Sequence, residues 1–272
     1  MKGPLQHKVV SPDRDLVNEV LGLLLAENGH DKDLSGWLVV FAGKRPGYFL
    51  IDRLSKSLKG AYIPPKVVSI DEFIDYCYEQ ELKKTDKKID PLSACKVLLD
   101  LLSNALGGKS LREFIPFGLR LFSALEELKI EDITDEMLNT KGITLFKASS
   151  DRRQQITLSK IYNDFYKEIQ DLGYSSRSTR YSEVAKGTLA LSTFNKGLIF
   201  AGLFALTKSE RWLFERFYNK DKTWFIYQDD SAKKHILEPT SEYTPPELPT
   251  DNITIYECPD NHSQVFKLAE IL

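Results

Sequence analysis

The chain has 272 residues and a formal net charge of −2, with 42% hydrophobic and 28% charged residues. This composition is typical of a soluble globular protein, and its charge balance excludes a general attraction to nucleic acid or anionic membranes, so any basic site must be local. The three cysteines are far apart without a CxxC pair, which disfavours a disulfide framework or a zinc site and favours a reducing cytoplasm.

Residues 1–74 alternate between strand and helix patterns. Strands are predicted at "HKVVS", "WLVVFAG" and "PPKVVSI", and the second is apolar enough to be buried on both faces of a sheet. Helices are predicted at residues 14–28, at residues 45–60 and from Asp71 onwards. This alternation with short connections indicates a parallel α/β sheet.

From about residue 75 to residue 185 the pattern is helical, and we predict no strong strand. The helix at "LSACKVLLDLLSNAL" has an apolar face at Leu92, Cys95, Leu98, Leu99 and Leu102. In "LREFIPFGLRLFSALEELKI", Pro116 predicts a kink or an early boundary. "LSKIYNDFYKEIQDLG" ends at Gly173, a residue type that commonly caps helices.

The α/β pattern resumes near residue 195. "GLIFAGL" and "TWFIYQDD" are buried-strand candidates, with an amphipathic helix at "KSERWLFERFY" between them. A strand at "ITIYECP" and a helix at "NHSQVFKLAEIL" follow, and because this helix stops while still apolar we expect a fragment of a longer protein. We also expect neither a signal peptide nor a membrane span, since the apolar runs are short.

The sequence therefore predicts a discontinuous α/β domain of residues 1–74 and 186–272. A helical insertion domain of residues 75–185 interrupts it. In this arrangement the strands "WLVVFAG" and "GLIFAG" belong to one sheet.

The turn after "WLVVFAG" carries Gly43 and Lys44 but lacks the glycine spacing of a phosphate-binding loop and the Ser or Thr after its lysine. Such a loop belongs after the first strand, where "SPDRDLVNE" offers acids and no glycine. The acidic pair that holds Mg²⁺ belongs after "GLIF", where Ala201 and Gly202 stand. We expect no ATP hydrolysis and no cofactor.

A nuclease site of two carboxylates and a lysine is not predicted within this chain. Asp13 and Asp260 follow prolines, but both continue into helix patterns, so acids that start helices are the simpler interpretation. The four histidines are scattered, and no serine or cysteine lies in a recognisable nucleophile elbow. The sequence predicts no catalytic residue and no metal site.

DNA contact is the chemistry that "GKRPGY" favours. It places Lys44, Arg45 and Tyr48 at a strand's carboxyl end and a helix start, where cations and N–H groups can meet phosphates and an aromatic ring can stack on bases. On the residues alone, a solvated turn is the favoured interpretation. Weaker DNA-binding candidates are Arg152 and Arg153 in "SDRRQQ", and Arg177 and Arg180 in "SSRSTRYSE".

Five stretches follow one family's motif pattern in chain order. They are "LVVFAGKRPGYFLIDRLSKSL", "IPPKVVSIDEFIDYC", "DLGYSSRSTRYSEVA", "GLIFAGLFALTKSERWLFERF" and "ITIYECPDNHSQVFKLAEIL". Together they resemble the AddB-type subunit of bacterial helicase–nuclease repair complexes, in the form of a PD-(D/E)xK nuclease family protein of Bacteroidetes-like bacteria. In the first stretch, Lys44 replaces one of the family's two arginines and Ala42 replaces its proline.

The resemblance implies a degenerate, P-loop-like helicase core with a helical insertion, and a nuclease domain beyond Leu272. It implies that the loop after Phe41 is one with which such helicases contact single-stranded DNA. The expected function is a catalytically inactive, DNA-binding and scaffolding part of a repair and recombination exonuclease. Its expected partners in the cytoplasm are single-stranded or unwound DNA and a helicase–nuclease partner subunit, with no membrane.

Two other functions stay open. The chain could be an interaction module that docks a partner helicase subunit without touching DNA, or an NTPase with an atypical site. Salt-dependent single-strand binding would separate the first alternative from DNA binding. Nucleotide-dependent thermal stabilisation would reveal the second.

Overall fold

A five-stranded parallel β-sheet forms the framework of the protein. The computed structural model describes residues 7–10, 14–29, 31–106, 108–146, 156–203, 206–218 and 220–228. The strands in these ranges are β1 (His7–Val9), β2 (Trp37–Phe41), β3 (Lys66–Ser69), β4 (Lys87–Lys88), β5 (Thr144–Phe146), β6 (Ile156–Thr157), β7 (Tyr174–Ser175), β8 (Gly197–Ala201) and β9 (Thr223–Tyr227).

Helices occupy most of the chain between these strands. They are α1 (Leu16–Asn28), α2 (Arg45–Leu58), α3 (Ile70–Tyr76), α4 (Pro91–Leu106), α5 (Leu111–Ile130), α6 (Asp135–Lys141), α7 (Leu158–Asp171), α8 (Arg177–Lys186) and α9 (Lys208–Phe217). A π-helical turn, Cys77–Glu81, follows α3 directly.

The large sheet has the strand order β1-β9-β8-β2-β3, and all neighbouring strands are parallel. β2 pairs with β8 from Trp37 opposite Gly197 to Phe41 opposite Ala201. The α/β class and the prediction that "GLIFAG" joins the sheet of "WLVVFAG" are therefore confirmed. The pairing shows that these strands are neighbours although the long, mainly helical stretch of the chain separates them.

Both faces of the sheet are covered by helices. Every residue of β2, β8 and β9 is buried, as continuous apolar runs predict for strands in parallel sheets. On one face, Val39 and Ile199 pack in a core with side chains of α1 and α2. On the other face, Val40 and Phe200 pack in a core with side chains of α3, α8 and α9.

The helical stretch has a further hydrophobic core formed by α4, α5, α6 and α7. Helix α5 runs through Pro116 without a break, so the predicted early boundary is wrong. A capping box between Ser110 and Glu113 starts this helix, and its buried face stabilises it beyond the proline. Leu92 is wrongly predicted to be core: it lies in the first turn of α4 and is 57% exposed.

Short strands also occur where none is predicted. β4 pairs with β7 in parallel, and β5 pairs with β6 antiparallel. Each has only two or three residues, too few to show a periodicity in the sequence. The prediction for Gly173 is confirmed, because it follows α7 with a positive φ of 74°.

All described residues belong to one compact unit, residues 1–239. The predicted strand at "ITIYECP" and the predicted helix at "NHSQVFKLAEIL" lie outside the described residues. None of the described helices is both long and apolar enough to cross a bilayer.

Gly197 tests the packing of the sheet, because it lies between two tryptophans. A Cβ added there would be 2.5 Å from a ring carbon of Trp37 and 2.5 Å from one of Trp224. We expect Gly197→Ala to lower the free energy of unfolding by about 1–3 kcal/mol through overpacking. Gly22→Ala, at an exposed position of α1 with open space around it, should raise it by about 0.5–1 kcal/mol. Urea unfolding followed by tryptophan fluorescence measures both; equal effects would contradict the described packing.

Candidate nucleic-acid interface

After two neighbouring parallel strands, β2 and β8, the chain turns towards opposite sides of the sheet. β2 leads through α2 to β3 on one side, whereas β8 leads through α9 to β9 on the other. Helices α2 and α9 pack on opposite faces of the sheet. Such a divergence opens a crevice at the carboxyl edge, the place where open α/β sheets bind ligands. The loop of residues 42–44 lies at this point.

The start of α2 is open to a ligand. Among the described residues, no side chain caps this helix, and its first turn contains Pro46 and no acid. Pro46 has no N–H group and the N–H of Gly47 donates to the backbone oxygen of Lys44, so it is mainly the helix dipole that favours an anion here. Gly47 lets the helix lie close to β3, because an added Cβ would be 2.9 Å from a methyl carbon of Val67.

Cations and aromatic rings surround this helix start. Tyr48 is 71% exposed and Phe49 is 47% exposed. The Arg45 guanidinium lies 5.9 Å from the centre of the Phe49 ring. Tyr48 and Lys44 also line a groove of about 200 Å³ between α2, β3 and α3. Phe49 was not among the predicted site residues, although two adjacent aromatic residues on a helix that buries one face suggest that at least one is exposed.

Lys44 is held by the start of α3. Its Nζ lies 2.7 Å from Oε1 of Glu72, and this hydrogen-bonded ion pair raises the pKa of Lys44. Glu72 also completes the capping box of α3 with Ser69. Lys44 is thus a charged, largely exposed group whose present partner is a carboxylate that a phosphate could replace.

Arg177 reaches the same helix start from α8. Its Nε donates to Oδ1 of Asp71 over 2.7 Å, and its guanidinium lies 4.6 Å from the centre of the Tyr181 ring. The Tyr181 hydroxyl also donates to Asp71. Burial raises the pKa of Asp71, but the hydrogen bonds from Tyr181 and Arg177 outweigh it, so this pKa is lowered. Two predicted residues, Lys44 and Arg177, are therefore held by sequence-adjacent carboxylates.

The structure corrects the prediction for Arg180. This side chain is buried, and its Nη1 bonds Asp75 over 3.0 Å and Glu79 over 2.9 Å. The rest of the guanidinium bonds Ser175 and a backbone oxygen of residue 86, and it stacks on Tyr78. Arg180 joins the π-helical turn to α8 and presents no cation to DNA. Arg152 and Arg153 lie outside the described residues.

The position expected for a nucleotide phosphate is filled by a carboxylate. Asp15 caps α1 by accepting hydrogen bonds from the N–H groups of Val17 and Asn18, and it pairs with Arg53 over 2.7 Å. After β8, Gly202 has a φ of 69°, which disfavours any residue with a side chain, and an added Cβ would have to displace a methyl carbon of Leu16 that lies 2.6 Å away. Asp13 lies outside the described residues.

Metal-binding residues are not clustered in the part of the chain that the structure describes, where no three His, Cys, Asp or Glu side chains come together. Comparison with models of known protein families and with curated protein sequences gives no match to this chain. The function is therefore inferred from the geometry of the carboxyl edge and from the motif resemblance.

The two arginines of α8 should differ in their effect on stability. We expect Arg180→Ala to lower the free energy of unfolding by about 3 kcal/mol, because it breaks a buried ion-pair network. Arg177→Ala removes a half-exposed ion pair and should cost about 1 kcal/mol or less. Urea unfolding monitored by circular dichroism measures both losses. Equal losses would contradict the structural role assigned to Arg180.

Proposed function

We propose that this protein binds single-stranded DNA at the carboxyl edge of its sheet. The observation that carries the proposal is the exposed ring of Tyr48 on the first turn of α2, beside Lys44, Arg45 and a helix start that no side chain of the described residues caps. Cations and helix N–H groups suit phosphates, and exposed rings suit unpaired bases. In a duplex the bases are paired and stacked on one another and could not stack on these rings, so single-stranded DNA is the favoured ligand.

The same chain is proposed to be the helicase-like, catalytically inactive part of a DNA repair and recombination exonuclease subunit. The motif resemblance and the carboxylate at the start of α1 support this assignment. In it, the parallel sheet is a P-loop-like helicase sheet that has lost its ATP site. The partner would be a helicase–nuclease subunit, and the assembly would act in the cytoplasm.

The helical residues 75–185 are proposed to be an insertion domain of that helicase-like core. Two observations support this division: β2 and β8 are neighbours, and α4 to α7 have their own hydrophobic core. Helix α8 nevertheless packs against the sheet, so the helical part and the sheet form one compact unit. This packing would keep Arg177 at the DNA-binding edge.

The carboxylates at the edge limit the affinity for DNA. Glu72 and Asp71 hold Lys44 and Arg177, so a phosphate must displace them or share their cations. Exposed ion pairs contribute about 0–1 kcal/mol each, so this exchange is feasible but leaves little net attraction. The remainder of the full-length protein or its partner would supply the other cations of a DNA channel.

Docking of a partner subunit without DNA contact is the second candidate function. It is favoured by exposed apolar side chains on the helical part, where Leu92 on α4 and Leu111 and Leu119 on α5 face solvent. Apolar side chains at the surface suit a protein partner better than a nucleic acid.

The DNA-binding proposal predicts the effect of removing the edge cations. Lys44→Ala with Arg45→Ala should weaken binding of fluorescent single-stranded DNA about equally for all sequences, since phosphate contacts carry no sequence information. The slope of log affinity against log salt should fall by up to about one unit per lost cation. Tyr48→Ala should cost roughly 1–3 kcal/mol of binding free energy if a base stacks there. Anisotropy titrations at several salt concentrations measure these changes.

The matched control is Lys56→Ala with Lys160→Ala. It also removes two exposed cations, here two lysines that are each paired with an aspartate one helical turn away, but neither lies at the carboxyl edge, so DNA binding should change less. If the Lys44, Arg45 and Tyr48 triple variant binds DNA as well as the wild type, the loop is a solvated turn and the docking function is favoured.

A further inference from the structure

A larger cavity, of about 370 Å³, lies between α5, α7, α8 and the segment after the π-helical turn. Its volume falls within the roughly 300–1,000 Å³ of small-molecule sites. None of its lining residues belongs to the groove beside α2, and neither Asp71 nor Arg177 lines it. It is a second site, independent of the proposed DNA contact.

Three lysines line this cavity, and two of them lack an acidic partner. Lys84 pairs with Glu183 over 3.0 Å, and the other lining acid, Asp86, accepts a hydrogen bond from Tyr78. Among the described residues, neither Lys83 nor Lys129 forms an ion pair. Neither of these two lysines is therefore in direct contact with a carboxylate of the described residues.

Lys129 is the more unusual of the two. It lies in the last turn of α5 and is half-buried. Its Nζ lies 4.9 Å from the centre of the Tyr166 ring and 5.8 Å from that of Tyr162. Burial, together with the nearby charge of Lys186, lowers the pKa of Lys129, and the charges of Asp132, Glu183 and Glu126 offset this only in part. The faces of the two rings compensate only partly for the hydration that the Lys129 ammonium group loses on burial. An anion in the cavity would offset this desolvation cost.

The backbone beside the cavity is also unusual. The π-helical turn Cys77–Glu81 carries Tyr78, whose ring is part of the lining. Lys83 has a φ of 56°, in the left-handed region that non-glycine residues rarely adopt. π-Helical turns and strained residues concentrate at functional sites. The π-helical turn and the residue with positive φ therefore position two side chains that line this cavity, those of Tyr78 and Lys83.

Neutral donors complete the lining. Among the described residues, the side chains of Thr85, Gln170 and Ser182 line the cavity and have no hydrogen-bond partner. Hydroxyl and amide groups of this kind can donate to the oxygens of an anion whose charge is balanced by lysines.

We propose that this cavity binds a phosphate monoester, with Lys83 and Lys129 pairing with the phosphate and the neutral donors binding its remaining oxygens. The three lysines exceed the two acids of the lining by one positive charge, which favours an anion such as a phosphate monoester, whose charge at neutral pH is about −1.5 to −2. The volume leaves room for a small organic group, against which the tyrosines can pack. The phosphate can belong to a free nucleotide or to the end of a nucleic-acid strand. The inference does not depend on DNA binding at the sheet edge.

Isothermal titration with thymidine 5′-monophosphate, inorganic phosphate and thymidine tests the proposal. Both phosphate probes should bind, and thymidine should not. Lys129→Met keeps the aliphatic stem and should weaken nucleotide binding about tenfold or more, as expected for losing a hydrogen bond to a charged group. The melting temperature of the free protein should stay unchanged or rise. The matched control Lys167→Met, at an exposed position of α7, should leave binding unchanged.

Oligothymidylate with and without a 5′-phosphate distinguishes the two sources of the phosphate. Both are titrated in the Lys44→Ala, Arg45→Ala background, which removes the edge contacts. Tighter binding of the phosphorylated strand supports a strand end, and nucleotide binding alone supports a free nucleotide.

The proposal is wrong if neither inorganic phosphate nor either phosphorylated probe binds. It is also wrong if thymidine binds as tightly as its phosphate, or if Lys129→Met keeps the wild-type affinity. Should that variant fail to fold, Lys83→Ser changes a loop side chain and must itself weaken binding of thymidine 5′-monophosphate.

Discussion

Burial of β2, β8 and β9 on both faces is the constraint on which the rest of the structure depends. Strands of this kind need helices on each side of the sheet, and α2 and α9 meet this need on opposite faces. Polar side chains are thereby excluded from the strands and are placed at their ends. The divergence of the chain after β2 and β8 then makes the carboxyl edge the natural position of a binding site.

The start of α3 links the fold to this site. Asp71 binds Arg177 of α8, and Glu72 binds Lys44 just before α2, so two carboxylates connect three helices at the sheet edge. The same contacts orient the cations that a phosphate would meet. They also lower the positive charge of the edge of a chain whose net charge is −2, so the DNA binding proposed for this edge would be weak and reversible.

The sequence predicted the sheet strands mainly from their apolar runs. The position of Lys44, Arg45 and Tyr48 at the carboxyl end of β2 could also be predicted, because they directly follow that strand, whereas their role in binding stays a prediction. The sequence could not show that Arg177 is exposed whereas Arg180 is buried. The two lie three residues apart, and their different surroundings are set by acids about 100 residues earlier in the chain. The cavity around Lys129 was also not predicted, because its lining comes from three separate segments with no shared motif.

The central claim is that Glu72 competes with a DNA phosphate for Lys44, and a comparison of Glu72→Gln with Glu113→Gln tests it most directly. Both glutamates complete capping boxes, glutamine can keep that role, and both changes remove one negative charge. Anisotropy titration should show that Glu72→Gln binds single-stranded DNA more tightly than Glu113→Gln, with a salt slope steeper by up to about one unit. Equal binding by the two variants would contradict the account.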